Sequence, residues 1–198
     1  MKNLSFAKHL FALIIFSALV FGSSVAPAMA KPSTTKPASR DRYSHVKLKF
    51  SVGDQLPDFP LKTLNGSQTN LNSVLKKGRN GTVMVVWATW CGACARVMPY
   101  LEKHRAQLAQ NSVEMVGVNL DLEKNSPIRQ FIQEKSIGFD VMIGDAKAAN
   151  SIFANREIAV PLVIFLNEKG FIKNMTFGWS AELLNSVESL AARKTSAK

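Results

Sequence analysis

Cys91 and Cys94 are the only cysteines in the 198-residue chain, and only Gly92 and Ala93 separate them. They follow an apolar run, Val83-Met84-Val85-Val86, and precede a helical pattern. A C-x-x-C at a strand-to-helix junction is the layout of dithiol–disulfide exchange. Two intervening residues let both sulfurs meet at one helix end, with Cys91 expected at the N-cap and Cys94 in the first turn. Unpaired backbone N–H groups and the positive end of the helix dipole favour a thiolate there. Such cysteines can have pKa values of about 3.5–7.5 rather than about 8.5. An exposed Cys91 would attack a substrate disulfide, and Cys94 would then attack Cys91 and release the substrate. Run backwards, the same steps oxidise a dithiol. None of this needs an organic cofactor.

Other uses of a cysteine pair fit the chain less well. Half of a zinc site requires a second pair of ligands; no further cysteine exists, and His9, His45 and His104 are scattered. A purely structural disulfide would close a very short loop and constrain the unfolded chain little. The T-x-x-C setting of a peroxidatic cysteine is missing, since Ala88 stands three residues before Cys91. No phosphate loop, dinucleotide glycine pattern or zinc-protease motif occurs.

The residues around the pair admit functional and structural readings. Trp90, beside the expected nucleophile, fits an apolar collar that shields the thiolate and guides a peptide, with simple packing as the alternative. Trp87 reads as core. His104 falls on an apolar helix face, too far along to serve Cys91, and reads as a satisfied boundary histidine. Arg96 could favour a nearby thiolate, although a solvated side chain is the simpler reading. Met84 and Met98 read as core methionines rather than copper ligands.

These residues need a scaffold, and the patterning describes one. Phe59–Thr63 and Gln68–Leu71 flank Leu64-Asn65-Gly66-Ser67, a hairpin signal. Thr82–Ala88 is a strand buried on both faces. A helix runs from Gly92 to about Gln110, with Val97, Leu101, His104 and Leu108 on one face and Pro99 inside, where it should kink the helix. Val113–Leu120 is the next strand. Pro127–Lys135 is a helix with Ser126 as N-cap and Pro127 at its first position. Val141–Ile143 is a short strand and Ala146–Ala154 a helix. Leu162–Leu166 and Phe171–Phe177 are strands joined across Asn167-Glu168-Lys169-Gly170, and Ser180 caps a closing helix to Leu190. The order predicts a mixed α/β sheet with helices on both faces.

The ends of the chain read differently. Residues 1–30 have the form of a secretory signal: Lys2 and Lys8, an apolar run from Leu10 to Phe21, then Ala28-Met29-Ala30 as a cleavage site. An uncleaved anchor is the alternative, although Gly22-Ser23-Ser24 and Pro27 suit a membrane helix poorly and a span needs about 20 apolar residues. Residues 31–49 read as a flexible basic linker, residues 50–190 as one domain, and residues 191–198 as a flexible C-terminal tail. Export places the domain in a periplasm, where a lone cysteine pair argues for a working site rather than a disulfide framework. The formal net charge is +11, but the excess sits in the ends, and residues 50–190 are near neutral. No nucleic-acid footprint results.

Four segments together resemble the thioredoxin superfamily and, more narrowly, the exported TlpA/ResA-like thiol–disulfide oxidoreductases. They are Val52-Gly53-Asp54-Gln55-Leu56-Pro57-Asp58-Phe59; Val85 to Cys94 followed by Met98-Pro99; Val116-Gly117-Val118-Asn119-Leu120-Asp121; and Val160-Pro161-Leu162-Val163-Ile164-Phe165-Leu166 with Gly170 beyond. The resemblance implies a thioredoxin fold with an N-terminal β-hairpin extension and a redox-active Cys91–Cys94 disulfide. It implies a cis peptide at Val160-Pro161, in a loop that faces the cysteines and pairs with substrate backbone. Catalysis falls to Cys91 and Cys94, and substrate binding to Trp90, Val160 and Pro161. Partners would be protein thiols or disulfides, with a membrane thiol transporter as electron donor. The reductase role includes apocytochrome thiols in cytochrome c maturation or metal-site cysteines of an oxidase.

Three departures accompany the match. Val97 stands where this branch often has a glutamate, and Val85 stands at the acid position of ordinary thioredoxins, so neither expected relay site carries an acid. Slower resolution or a shifted redox preference follows, because general acid–base help is worth about 10²–10⁴-fold. Ala93 replaces a common proline, and Val160 a frequent threonine. A periplasmic oxidase or isomerase is the rival enzyme; a copper-binding metallochaperone is the rival of another class, although such proteins usually space their cysteines by three residues and add a histidine.

Overall fold

The computed structural model describes residues 42–122 and 126–193. The expected signal segment and most of the linker and C-terminal tail lie outside the described residues. Seven strands form one sheet: β1 (Pro60–Thr63), β2 (Gln68–Asn70), β3 (Thr82–Trp87), β4 (Glu114–Asn119), β5 (Asp140–Ile143), β6 (Leu162–Leu166) and β7 (Ile172–Phe177). Among the described residues five helices accompany them: α1 (Leu71–Leu75), α2 (Cys94–Gln110), α3 (Ile128–Glu134), α4 (Ala146–Ile152) and α5 (Ala181–Ala192). The spatial order is β2-β1-β5-β4-β3-β6-β7. β3, β4 and β5 are parallel neighbours, while β6, β7, β1 and β2 join antiparallel. Among the described residues no helix is long and apolar enough to cross a membrane.

The sheet centre follows from composition. All six residues of β3 are buried, as its unbroken apolar run requires of a strand covered on both faces. β3 leads through α2 into parallel β4, the crossover that parallel pairing demands. Along α2, Cys94, Val97, Met98, Leu101 and Leu108 are buried, the spacing of one helical face. The helix continues through Pro99. Gly117 lies opposite Val85 in the sheet; a Cβ there would come within 3.0 Å of the Trp87 indole nitrogen, so the missing side chain makes room for the ring. Trp87 also packs on Phe131 of α3, with centroids 4.7 Å apart.

Helix ends mark where sequence and structure part. Ser180 caps α5, its hydroxyl accepting the Leu183 N–H at 3.1 Å, as its residue type predicts. Ser126 does not cap α3. Pro127 occupies the cap position with a non-helical ψ of 48°, and the first helical carbonyl is its own, accepting from Phe131 N–H at 2.9 Å. The Ile128 N–H bonds back to the Ser126 carbonyl at 2.8 Å, a tight turn that leaves the serine one residue outside the helix. Asp145 caps α4, accepting from Lys147 and Ala148 N–H at 2.8 and 3.1 Å. Asp145→Ala should therefore cost about 1 kcal/mol, read as a lower urea midpoint with unchanged slope.

The stretch before residue 50 is tied to the domain more closely than a linker pattern suggests. Tyr43 stacks on Phe177 at 4.9 Å, Leu48 bridges to Phe153, and Lys49 N–H bonds to the Ile152 carbonyl at 3.0 Å. Further on, Gly53 and Asp54 exchange backbone hydrogen bonds with Ile172, at 2.8 and 2.9 Å, so the start of β7 is covered by this segment. At the other rim, the hairpin of β1 and β2 flanks β5, and the outermost strand is three residues long.

Candidate active site

Cys91 and Cys94 form a disulfide with Cα atoms 5.3 Å apart. It lies where β3 ends and α2 begins. The helix starts at Cys94, and Ala93 holds the cap position with no side-chain hydrogen bond. Cys91 therefore precedes the cap rather than occupying it. Its atoms nevertheless serve the helix end: the carbonyl accepts from the Cys94 and Ala95 N–H groups at 3.0 and 3.4 Å, and Sγ accepts from Cys94 N–H at 3.1 Å. Alanine cannot supply an acceptor, and the sulfur three residues before the donor does.

Cys91 is 6% exposed and Cys94 fully buried. The expectation of an openly exposed Cys91 is corrected: in the disulfide its sulfur is turned toward Cys94, and only a small surface remains. The asymmetry between the two sulfurs still leaves Cys91 as the one that an incoming sulfur can reach. Gly92, next to it, faces open space: a Cβ built there meets nothing within 4 Å. Packing does not require glycine at this position. Trp90, beside it, is 63% exposed.

Val160-Pro161 carries a cis peptide bond. Leu162 pairs with Val86, so Pro161 sits at the same end of the sheet as Trp87 and the segment leading to Cys91. Phe177 pairs with Leu162 on the other side, which brings Gly178 and Trp179 to that end as well. Gly178, at φ 67°, donates its N–H to the Pro161 carbonyl at 2.9 Å. Trp179 meets Tyr100 of α2 edge-on at 5.2 Å, with the Arg96 guanidinium 5.8 Å from its ring centroid. Gly178 and Trp179 together thus link the proline loop to the helix that follows the cysteines, and Arg96 rests on an indole rather than standing solvated alone. Burial, helped by Glu188, raises the Tyr100 phenol above its ordinary pKa. His104 is half-buried, with Nδ1 2.9 Å from the Tyr100 carbonyl, the satisfied boundary role its position suggests. Trp87, Met84 and Met98 are core. Val97 and Val85 are buried as well, so both expected acid positions are apolar in fact as in sequence.

One polar group near the site was quoted in the sequence only as part of a segment. Asp121 follows β4 and is buried, 7% exposed. Its carboxylate accepts the Thr89 N–H at 3.1 and 3.2 Å and the Asn119 side-chain amide at 3.0 Å. The signal was an acid just after a mostly apolar strand, a place where burial is expected.

Residues 52–175 match the AhpC/TSA family. The chain is 32% identical over 138 residues to the thioredoxin-like protein YneN of Bacillus subtilis, covering 69% of this chain and 77% of that relative. It is 29% identical over 131 residues to the thiol-disulfide oxidoreductase ResA of Halalkalibacterium halodurans, covering 66% and 71%. The thioredoxin domain of a thiol-disulfide oxidoreductase from Bacteroides vulgatus has the same fold, with a TM-score of 0.59 at 20% identity over 72% of this chain and 99% of that one.

Proposed function

Because the chain belongs to the AhpC/TSA family and is a thiol–disulfide oxidoreductase, we propose that it works in the periplasm as a reductase of protein disulfides. The observation that supports this best is the bonded pair Cys91–Cys94 with unequal access to its two sulfurs. In the reduced protein, the Cys91 thiolate attacks one sulfur of a substrate disulfide. A Cys91–substrate disulfide forms, the substrate S–S bond breaks, and the departing substrate sulfur takes a proton. Cys94 then loses its proton and attacks Cys91 Sγ. The Cys91–Cys94 disulfide forms, the second substrate sulfur leaves as a thiol, and two electrons have passed to the substrate.

Trp90, Val160 and Pro161 are the substrate-facing residues in this reading. Trp90 presents an exposed indole beside the nucleophile, and the proline loop offers backbone for pairing. Following the TlpA/ResA-like resemblance, the substrates are disulfides between the cysteines of an apocytochrome or between metal-site cysteines of an oxidase, which are returned to thiols, and a membrane thiol transporter returns electrons to Cys91–Cys94. A signal over residues 1–30 accounts for export.

The reduction potential tests the direction of flow. Equilibration with glutathione buffers should give a value near or below thioredoxin's approximately −270 mV. A value toward DsbA's approximately −120 mV would reverse the assignment to an oxidase or isomerase.

A further inference from the structure

A buried carboxylate ordinarily has a cationic partner. Asp121 has none among the described residues: the ion pairs there are His45–Glu157, Lys77–Asp140 and Arg105–Glu102. Every hydrogen bond to its carboxyl group comes from an N–H donor, so it serves there only as an acceptor. A second bond fixes its backbone, with Asp121 N–H donating to Asn119 Oδ1 at 3.0 Å. The group is therefore held rigidly from β4, and what it holds in turn is the chain two residues before Cys91.

The distance to the sulfurs is bounded by the chain. Consecutive Cα atoms lie about 3.8 Å apart, so Cys91 Cα is within about 7.6 Å of Thr89 Cα. The carboxylate is then within about 12 Å of Cys91 Cα, and within about 15 Å of its sulfur once Cβ and Sγ are added. Even at about 15 Å, with an effective dielectric constant of about 20, one negative charge disfavours a thiolate by somewhat less than one pH unit, and more if the groups are closer.

We propose that Asp121 is a positioning residue that anchors the Thr89–Trp90 backbone and, through its charge, biases the cysteine pair toward the disulfide. This rests on Cys91 being the attacking thiol. It also answers the apolar character of Val85 and Val97: the acid that acts on the pair comes from the neighbouring strand, at longer range. The charged or titratable groups on the elements around the site are few. α2 brings Arg96, on Trp179, with Tyr100 and His104 beyond; the 88–90 segment brings none; the turn after β5, bonded to Asn119 through Gly144, brings Asp145 and Lys147, and Arg156 lines one cavity with Leu122. Glu123 and Lys124 lie outside the described residues.

The test compares the full-length protein with Asp121→Asn, which keeps an acceptor for Thr89 and removes the charge, and with Asp121→Ala, which removes both. Thiolate absorbance against pH should place the Cys91 titration of Asp121→Asn about one unit below that of the wild type. Its potential should rise by up to about 30 mV, the equivalent of a tenfold change in equilibrium constant. Wild-type titration and potential in a folded Asp121→Asn would overturn the charge effect and leave a merely structural role, whatever Asp121→Ala does. Should Asp121→Asn fail to fold, Asp121→Ser replaces it, and the same comparison decides: a Cys91 titration lower than in the wild type agrees, and an unchanged or higher one overturns the proposal. Failure of the underlying reading is distinguishable, because it would appear as exchange retained by Cys91→Ser.

Discussion

Cys91→Ser should reduce disulfide exchange to the rate seen without protein, while Cys94→Ser should stay joined to its substrate through one mixed disulfide. The two variants differ because the sulfurs differ in access. Cys94 has no exposed surface and Cys91 retains a little, so only Cys91 can meet an outside sulfur. A serine hydroxyl is not ionised at neutral pH and does not replace a thiolate as nucleophile. Removing Cys94 leaves the first attack intact and deletes the second. The measurement is exchange with a disulfide-bonded protein, followed by non-reducing electrophoresis and mass spectrometry. Exchange by Cys91→Ser, or prompt release of substrate by Cys94→Ser, would sink the assignment of roles.

Gly81→Ala should be among the most damaging single changes to the scaffold, although it lies at the far end of β3 from the cysteines. Gly81 has φ 125°, where L side chains rarely sit, and a Cβ there would stand 2.3 Å from the Leu166 carbonyl oxygen. That oxygen belongs to backbone, and Leu166 pairs with Thr82 in the sheet. Relief requires moving β3 against β6. Backbone strain of about 1–3 kcal/mol adds to an overpacking cost of about 1–3 kcal/mol. A loss near 3 kcal/mol or more should lower Tm by about 10 °C in a domain of this size. Thermal unfolding followed by circular dichroism checks it; a change under about 1 kcal/mol would mean that the turn has another comfortable conformation.

The parts of the protein readable from sequence share a property: their causes are local. The hairpin around Asn65-Gly66, with Gly66 at φ 84°, is written in one dipeptide. β3 is written in a continuous apolar run, and the Ser180 cap in one residue before an amphipathic stretch. The cysteine pair needed only spacing. Where the cause is distant or competes with another, the reading slips. Ser126 was displaced from its cap because Pro127 adopted a non-helical ψ and took the position itself. Cys91 looked like a cap residue and an exposed thiol; the helix begins later, and the sulfur is covered by its own disulfide. Asp121 meets Thr89 and Trp179 meets Tyr100, residues separated from them by long stretches of chain, and no local pattern records such a meeting.

The rims of the sheet bear on the company this protein is proposed to keep. An oxidoreductase acting on unfolded substrates repeatedly meets extended chains, and an open strand edge would recruit them as extra strands. Here one rim ends in the three-residue β2, too short to template much. The other is β7, covered at its start by Gly53 and Asp54 and bearing the exposed, charged Lys173. Both edges are blunted in the manner that prevents aggregation. The protein can therefore hold a client by one sulfur and a short contact without becoming the seed on which that client misassembles.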